Sequence, residues 1–141
     1  MIRVFVDANV LFAAGYSSHG SSRDLVMAAI EGKVQIVASQ YVLTEARTNL
    51  ASKAPRALPA LNQLVELLSI EIVDKPGLAQ VQQVAEYTAL KDAPVVAAAL
   101  AAHVDYLTSW DRKHLIDDPQ IAEQSGLKIV TPAVLADILE L

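Results

Sequence analysis

Four acidic residues stand at positions where a carboxylate is unexpected. Asp7 interrupts the apolar run MIRVFVDANVLFAA, and Asp92 opens the almost wholly apolar segment DAPVVAAALAAH. Asp111 follows the segment YLTSW, and Glu45 lies within SQYVLTEARTNL. Carboxylate oxygens are ligands of hard divalent cations such as Mg²⁺ and Mn²⁺. Clustered carboxylates repel one another, so a bound cation is needed to keep them all ionised. If the four side chains converge, they predict a divalent metal site.

A site of this kind is equipped to hydrolyse phosphodiesters. The metal lowers the pKa of a bound water, orients it and stabilises charge on the phosphate oxygens. The chain offers no comparable second set of catalytic groups. It has no cysteine, its three histidines lack the spacing of a metal motif, and it contains none of the motifs GxGxxG, GxxxxGK[ST] or GxSxG.

Each acid also has a purely structural interpretation. Asp7 could cap a short turn, and Asp92 stands before an Ala-Pro pair, which makes it a good helix N-cap. Glu45 could be a solvated helix residue, and Asp111 could cap the segment 112–115. Capping does not exclude metal binding, so both interpretations stay open for each acid taken singly.

Strand and helix patterns alternate along the chain and supply the frame that must position these acids. Strands are expected over 2–6, 34–38, 70–73, 106–109 and 127–130, and helices over about 23–31, 39–53, 56–68, 78–89, 92–103 and from 132 onwards. This alternation predicts one α/β domain over residues 1–141, a three-layer sandwich around a mainly parallel sheet. Such sheets bind ligands beyond the carboxyl ends of their strands, where Asp7 and Asp111 would stand.

The composition is consistent with this class. Hydrophobic residues make up 53% of the 141 residues but aromatic residues only 5%, so Ala, Val, Leu and Ile must build the core. The net charge of −5 argues against binding nucleic acid through bulk charge, although cations held by clustered acids would change the local sign. No apolar run is long enough for a transmembrane helix, and Asp7 interrupts a would-be signal peptide, so a cytoplasmic location is expected.

Several segments together resemble the PIN-domain family. They are VFVDANVLFAA, SQYVLTEARTNL, KDAPVVAAALAAHVDYLTSWDRKHL and LKIVTPAVLADIL. The resemblance covers nearly the whole chain, its most specific part is the run 92–115, and it is strongest to the small single-domain toxins of bacterial toxin–antitoxin pairs. It implies an endoribonuclease that uses Mg²⁺ or Mn²⁺ and cleaves single-stranded RNA with a metal-activated water.

The resemblance also implies roles for individual residues. Asp7, Glu45 and Asp92 resemble the family's metal-binding acids, and Asp111 resembles a fourth acid that binds metal less directly. All four are therefore expected to be catalytic and to belong to the metal site.

Further residues are expected to contact the substrate. Asn9 and Ser109 match polar residues often found beside these acids, and Arg23 lies in a Ser-Arg pair like that at the start of the family's first helix. Trp110 stands where the family pattern commonly has Gly, and its indole could stack a nucleobase or pack against a loop. Arg112 is a candidate phosphate contact or a plain surface charge. Lys91 and Lys113 are two more candidates of the same kind.

The expected partners are RNA, a second copy of the chain and a cognate antitoxin, with no membrane. The homodimer is expected because segment 39–68 is rich in Leu, Val and Ala, more than a small domain can bury. The antitoxin is implied by the resemblance alone.

Two other functions stay open. A haloacid-dehalogenase-type phosphatase also begins with an acid after its first strand, but it needs a second acid two residues later, where this chain has Asn9. A PIN-like binding module without turnover is the alternative from another class. Metal-dependent cleavage of single-stranded RNA that is lost with EDTA would separate an enzyme from such a module.

Overall fold

The computed structural model describes all 141 residues and shows alternating strands and helices. The elements in chain order are β1 (Arg3–Val6), α1 (Ala8–Tyr16), α2 (Ser21–Ile30), β2 (Gln35–Ser39), α3 (Gln40–Lys53), α4 (Leu58–Leu67), β3 (Glu71–Val73), α5 (Leu78–Val84), α6 (Ala93–Ala101), β4 (Tyr106–Thr108), α7 (Pro119–Ser125), β5 (Ile129–Val130) and α8 (Pro132–Ile138). A short 3₁₀ turn at Pro55–Ala57 joins α3 to α4, and one π-helical turn at Arg112–Ile116 follows β4.

The five strands form one sheet in the order β3-β2-β1-β4-β5, and all four pairings are parallel. In β1, Val4 is paired with Ile36 of β2 on one side and with Tyr106 of β4 on the other. The strand order reverses at β1, and a reversal of this kind opens a crevice beyond the carboxyl ends of the two strands that flank it. The predicted α/β class with a parallel sheet is confirmed.

Strand β1 lies at the centre of the core. Val4, Phe5 and Val6 have no exposed surface, as expected for a parallel strand that is covered on both faces. Helices α1, α2, α3, α4 and α8 contact one another, and α5 contacts α6. Because parallel crossovers are right-handed, the connections that run from β1 towards β3 and the connection that returns to β4 cover opposite faces of the sheet. The layers are therefore helix, sheet and helix, as predicted.

Helix α1 is an element that the sequence analysis did not anticipate. The apolar residues after Asp7 form a helix because the Asp7 side chain caps it, with Oδ1 accepting from the backbone N–H of Ala8 at 2.8 Å. Helix α7 was also not anticipated, and Asp118 caps it by accepting from the N–H of Gln120 at 3.0 Å.

Some predicted boundaries were wrong. Helix α2 begins at Ser21 rather than near 23, and Gly20 with φ of 107° precedes it without a side-chain cap. Glycine tolerates this positive φ at no steric cost. Helix α5 ends at Val84 rather than near 89, and short turns lead from there to α6. None of the helices has both the length and the apolar character needed to cross a membrane.

Gly15 near the end of α1 lets this helix approach α3 and α4 closely. A Cβ atom at Gly15 would lie 2.8 Å from Cβ of Leu61 and 3.1 Å from Cδ2 of Leu50. Both leucines are almost completely buried, so they have little room to move. The helix layer on this face therefore depends on a residue without a side chain.

We predict that Gly15→Ala destabilises the fold. The added methyl group overpacks a core contact, and such changes typically cost about 1–3 kcal/mol. Thermal unfolding followed by circular dichroism should show a lower Tm. Gly77→Ala is the matched control, because a Cβ there meets open space. Equal Tm values for the two variants would contradict the packing assigned to Gly15.

Candidate active site

An acidic cavity of about 200 Å³ lies at the carboxyl ends of β1 and β4, where the strand order reverses. Four of its lining residues are the acids singled out from the sequence. The full lining is Asp7, Asn9, Phe12, Glu45, Asn49, Lys53, Lys91, Asp92, Val95 and Asp111. The fold thus brings together four carboxylates that are far apart in the chain, as the interpretation of a parallel sheet required.

Asp7 is held rigidly at the floor of this cavity. Its Oδ1 accepts from the N–H of Ala8, and its Oδ2 accepts from the hydroxyl of Ser109 at 2.8 Å. The side chain is only 8% exposed, and this burial raises the pKa of Asp7, while the two hydrogen bonds act in the opposite direction. Asp7 therefore caps α1 and lines the cavity at the same time, so its two interpretations are compatible.

The hydroxyl of Ser109 makes three hydrogen bonds that organise the loop after β4. It donates to Asp7, and its Oγ accepts from the side-chain amide of Asn9 at 3.1 Å and from the N–H of Asp111 at 3.0 Å. The residue has no exposed surface. The expected substrate contact by Ser109 stays a prediction, and in this geometry its hydroxyl positions Asp7 and Asp111.

Trp110 fastens the same loop to helix α2. Its indole N–H donates to Oγ of Ser22 at 2.8 Å, and its backbone N–H donates to Oδ1 of Asn9 at 3.0 Å. The ring is 38% exposed. The indole is thus held by helix α2 and not by a loop, and stacking of a base on the ring stays a prediction.

Asp92 stands at the start of α6, but its side chain makes no capping hydrogen bond. The expected N-cap bond is therefore absent, and the backbone of Asp92 is already helical, with φ of −94° and ψ of −17°. The side chain is 7% exposed, and Oδ2 is buried without any hydrogen-bond partner. A buried polar atom without a partner costs free energy, and a charged one costs more. Burial raises the pKa of Asp92, Lys91 lowers it, and the charges of Asp111 and Asp7 raise it further.

Asp111 lies between two basic groups. Its Oδ1 accepts from the backbone N–H of His114 at 3.0 Å and lies 3.3 Å from the ring Nδ1 of the same histidine. Its Oδ2 lies 3.6 Å from Nζ of Lys91. The predicted cap of the segment after residue 111 is present, and it does not remove Asp111 from the cavity.

The most compact group of potential metal ligands is Asp92, Asp111 and His114, whose donor atoms all lie within 4.8 Å of one another. His114 was not identified from the sequence as a potential ligand. The only signal for it was its position three residues after Asp111. Asp7 and Glu45 line the same cavity without joining this compact group.

The donor set fits a hard divalent cation. Carboxylate oxygens dominate the cavity, and the unpartnered Oδ2 of Asp92 is a ligand atom with no other function in the fold. A cation bound there would offset the burial and the mutual repulsion that raise the pKa of Asp92 and Asp7. The ammonium of Lys91 lowers the pKa of both groups.

Helix α3 forms the wall of the cavity opposite α6. Glu45, Asn49 and Lys53 line the cavity at intervals of four residues, so they share one face of the helix. Sequence reasoning had singled out Glu45 alone. The spacing from Glu45 was the signal that could have found the other two.

Two more predicted substrate contacts, Arg23 and Arg112, lie outside the cavity lining, as Ser109 and Trp110 do. Nε of Arg23 donates to the carbonyl oxygen of Ala14 at 2.9 Å, which joins α2 to the end of α1. Arg112 is exposed and lies 3.8 Å from Asp117. Contacts of these arginines with an extended substrate stay predictions, whereas Asn9 lies in the cavity as expected.

Comparisons with known proteins agree with this geometry. A family model described as the PIN domain matches residues 3–113. No curated protein sequence matches the chain.

Several solved structures have a similar fold. The PAE2754 protein from Pyrobaculum aerophilum superposes with a TM-score of 0.68 at 18% identity, covering 99% of this chain and 96% of that one. DNA-bound VapBC from Salmonella typhimurium gives 0.66 at 13% identity, covering 94% and 99%. VapC20 from Mycobacterium tuberculosis, described as a toxin that cleaves the sarcin–ricin loop, gives 0.54 at 18% identity, covering 78% and 91%.

We predict that Asp92→Asn raises the Tm of the metal-free protein at neutral pH. The pKa of Asp92 is raised in the folded state, so its contribution to stability is present below the unfolded pKa and is lost as the pH rises through the folded pKa. A neutral amide avoids this loss, and its advantage should shrink on acidification. Thermal unfolding in EDTA, followed from neutral to acidic pH, measures the difference in Tm between the variant and wild type.

The same experiment repeated with Mn²⁺ tests the metal site. A cation that binds only the folded state raises the wild-type Tm by mass action, and Asp92→Asn should reduce that rise. Asp137→Asn, on the exposed face of α8, is the control and should behave like wild type. An Asp92→Asn variant that is less stable in EDTA and keeps the full Mn²⁺ response would contradict both the charge assignment and the metal site.

Proposed function

The chain belongs to the PIN-domain family, and we propose that it is a metal-dependent endoribonuclease that hydrolyses single-stranded RNA. The observation that carries this proposal is the buried, unpartnered Oδ2 of Asp92 in a cavity shared with three further carboxylates. A folded protein keeps such an atom at a cost in stability, and a ligand cation gives it a partner.

Asp92, Asp111 and Asp7 are the residues proposed to hold a Mg²⁺ or Mn²⁺ ion, with Glu45 on the opposite wall and His114 beside Asp111. When bound, the cation supplies a lowered pKa for an attacking water and stabilises charge on the phosphate oxygens. The four acids act together in this proposal, which makes them the catalytic set expected from the sequence.

The protein's own groups orient the reaction. Ser109 and the first N–H of α1 fix both oxygens of Asp7, so this carboxylate presents a fixed geometry to the site. The Lys91 ammonium stands at the rim, where it can contact a phosphate oxygen. His114 is partly exposed next to Asp111, in a position to exchange a proton with the leaving group.

The biological role is proposed from the relatives. VapC20 is described as a toxin that cleaves the sarcin–ricin loop, and the Salmonella structure is a VapBC complex. We propose that this chain is likewise the toxin of a toxin–antitoxin pair, working as one domain over residues 1–141 in the cytoplasm. The homodimer stays a prediction that a sedimentation experiment can test.

The phosphatase alternative receives less support from the geometry. It needs a second acid at position 9, where this chain has Asn9, whose amide is hydrogen-bonded to Ser109 and Trp110. A binding module without turnover would have the same use for a cation at the unpartnered Oδ2 of Asp92, so a measurement of activity separates it from an enzyme. Activity lost with EDTA would distinguish the enzyme from that module.

We predict that Asp7→Asn lowers the rate of RNA cleavage at least about a hundredfold, the scale seen when one group that stabilises the transition state is removed. The amide oxygen can still cap α1, so circular dichroism and the Tm should show a folded protein. Initial cleavage rates with Mn²⁺ measure the effect, and Asp137→Asn serves as the control. A folded Asp7→Asn variant with wild-type activity would refute the assignment of Asp7.

A further prediction concerns the products. Attack by the RNA's own 2′-hydroxyl is suited to a pair of histidines, one as base and one as acid, and this site has only His114 near its acids. Attack by water in line with the 3′ oxygen should instead leave a 5′-phosphate and a 3′-hydroxyl. Removal of the 2′-hydroxyl at the cut position should weaken binding at most. End-group analysis decides, and a 2′,3′-cyclic phosphate would show that water is not the nucleophile.

A further inference from the structure

Helix α3 carries a stripe of four residues, three of which line the acidic cavity while the fourth, Tyr41, lies beyond it. The α3 stripe consists of Tyr41, Glu45, Asn49 and Lys53. Residues spaced by four lie above one another on one face of a helix, each about 6 Å further along the axis. The catalytic acid Glu45 therefore has an aromatic residue on one side and an amide and a cation on the other.

The surface along this stripe is a continuous depression. Glu45 and Asn49 line both the acidic cavity and a shallow trough of about 390 Å³. Tyr41 lines that trough and also a larger groove of about 730 Å³. A chain that crosses the acidic cavity can therefore follow α3 into this groove without leaving the surface.

The groove at the Tyr41 end is mainly apolar. Tyr41 is 49% exposed and Leu78 is 74% exposed. Lys75 adds a cation, and the rest of the apolar lining consists of Val73, Pro76, Val81 and Pro94. An exposed aromatic ring bordered by aliphatic side chains can stack a nucleobase of any type, because every base has a π-face.

Tyr41 also lies close to the carboxylates. Tyr41 and Glu45 stand one helical turn apart and line the same trough, and Glu45 also lines the acidic cavity with Asp7 and Asp92. These carboxylates flank the proposed position of the scissile phosphate. A base stacked on Tyr41 would therefore belong to a nucleotide adjacent to the cut.

Lys53 marks the other end of the stripe. Its exposed ammonium lies 5.9 Å from the centroid of the Phe12 ring, and both residues line the acidic cavity. The acids in the middle of the α3 stripe repel a phosphate backbone. A backbone that follows the stripe would therefore need cations at its ends.

We propose that the α3 stripe is the track for one strand of the RNA substrate, with a base stacked on Tyr41 on one side of the scissile phosphate and a backbone phosphate bound by Lys53 on the other. This inference rests on the proposed function. It adds to it a subsite that favours an unpaired base, because a base must be free of its duplex to stack on a side chain.

The test uses a short unstructured RNA in which 2-aminopurine, or an abasic nucleotide, replaces each position in turn. Binding is measured in Mn²⁺ with the Asp7→Asn protein, and cleavage is measured with the protein that carries Asp7. We expect one position next to the cut at which 2-aminopurine fluorescence is quenched on binding and an abasic nucleotide weakens binding about tenfold. Tyr41→Ala should abolish both effects, and Tyr41→Phe, which keeps the ring, should retain them.

Lys53→Ala should weaken RNA binding and make it less sensitive to salt, because one phosphate contact is lost. Lys33→Ala is the matched control, since Lys33 is exposed, pairs with Glu31 and precedes the amino end of β2, whereas the acidic cavity lies at the carboxyl ends of the strands. Circular dichroism of each variant checks that it is folded.

The outcomes separate the track from the nuclease. If wild type cleaves the RNA and Tyr41→Ala leaves the effect of each abasic nucleotide on binding unchanged, the track is overturned and the proposed function is kept. Tyr41-dependent binding without cleavage by wild type would keep the track and overturn the nuclease. Absence of both binding and cleavage, or binding only to a protein partner, would overturn the track.

Discussion

The buried carboxylate of Asp7 is the group on which the rest of the site depends. It follows the central strand, caps helix α1 and accepts a hydrogen bond from the Ser109 hydroxyl, so one side chain joins the sheet, a helix and the loop after β4. The backbone of Asp7 also joins the end of β1 to β4, since the N–H of Asp7 donates to the carbonyl oxygen of Thr108 at 3.0 Å. The geometry of the acidic cavity is therefore fixed by the same bonds that hold β1 beside β4.

A site of this kind works against the stability of the fold that carries it. Asp7 and Asp92 are both nearly buried, both have a raised pKa because of that burial, and Asp111 adds its charge to each. The surrounding core makes such a cluster tolerable, because β1 and the Ala- and Val-rich helix α6 leave almost no apolar surface exposed near it. Carboxylates whose pKa is raised in this way, at the carboxyl ends of a parallel sheet, are typical of functional sites rather than of structural ones.

The sequence predicted the fold class and the convergence of the acids because both follow from strong, local patterns. Alternating β-branched strands and Ala-rich helices indicate a parallel sheet, and the acids at strand ends then meet at one edge. Helix α1 was not foreseen, because its apolar residues continue the hydrophobic run of β1 and only the cap at Asp7 marks the change. Contacts between residues far apart in sequence, such as Ser109 with Asp7 or Trp110 with Ser22, leave no local signal. The unmade cap bond of Asp92 was equally hidden, since a residue before Ala-Pro has every local feature of an N-cap.

The net charge of −5 was the strongest sequence argument against a nucleic-acid partner, and the structure shows why it has little weight here. Total charge counts every residue equally, whereas a bound strand senses only the charges within about a Debye length, roughly 8–10 Å at physiological salt. Around the acidic cavity, those charges include Lys91 and Lys53 in the lining, with Lys75 in the groove beyond Tyr41. With the central acids neutralised by a cation, this strip would carry a positive local charge on a protein that is acidic as a whole. The same acids thus repel a polyanion when they are unneutralised and would, by binding a cation, make the local charge positive.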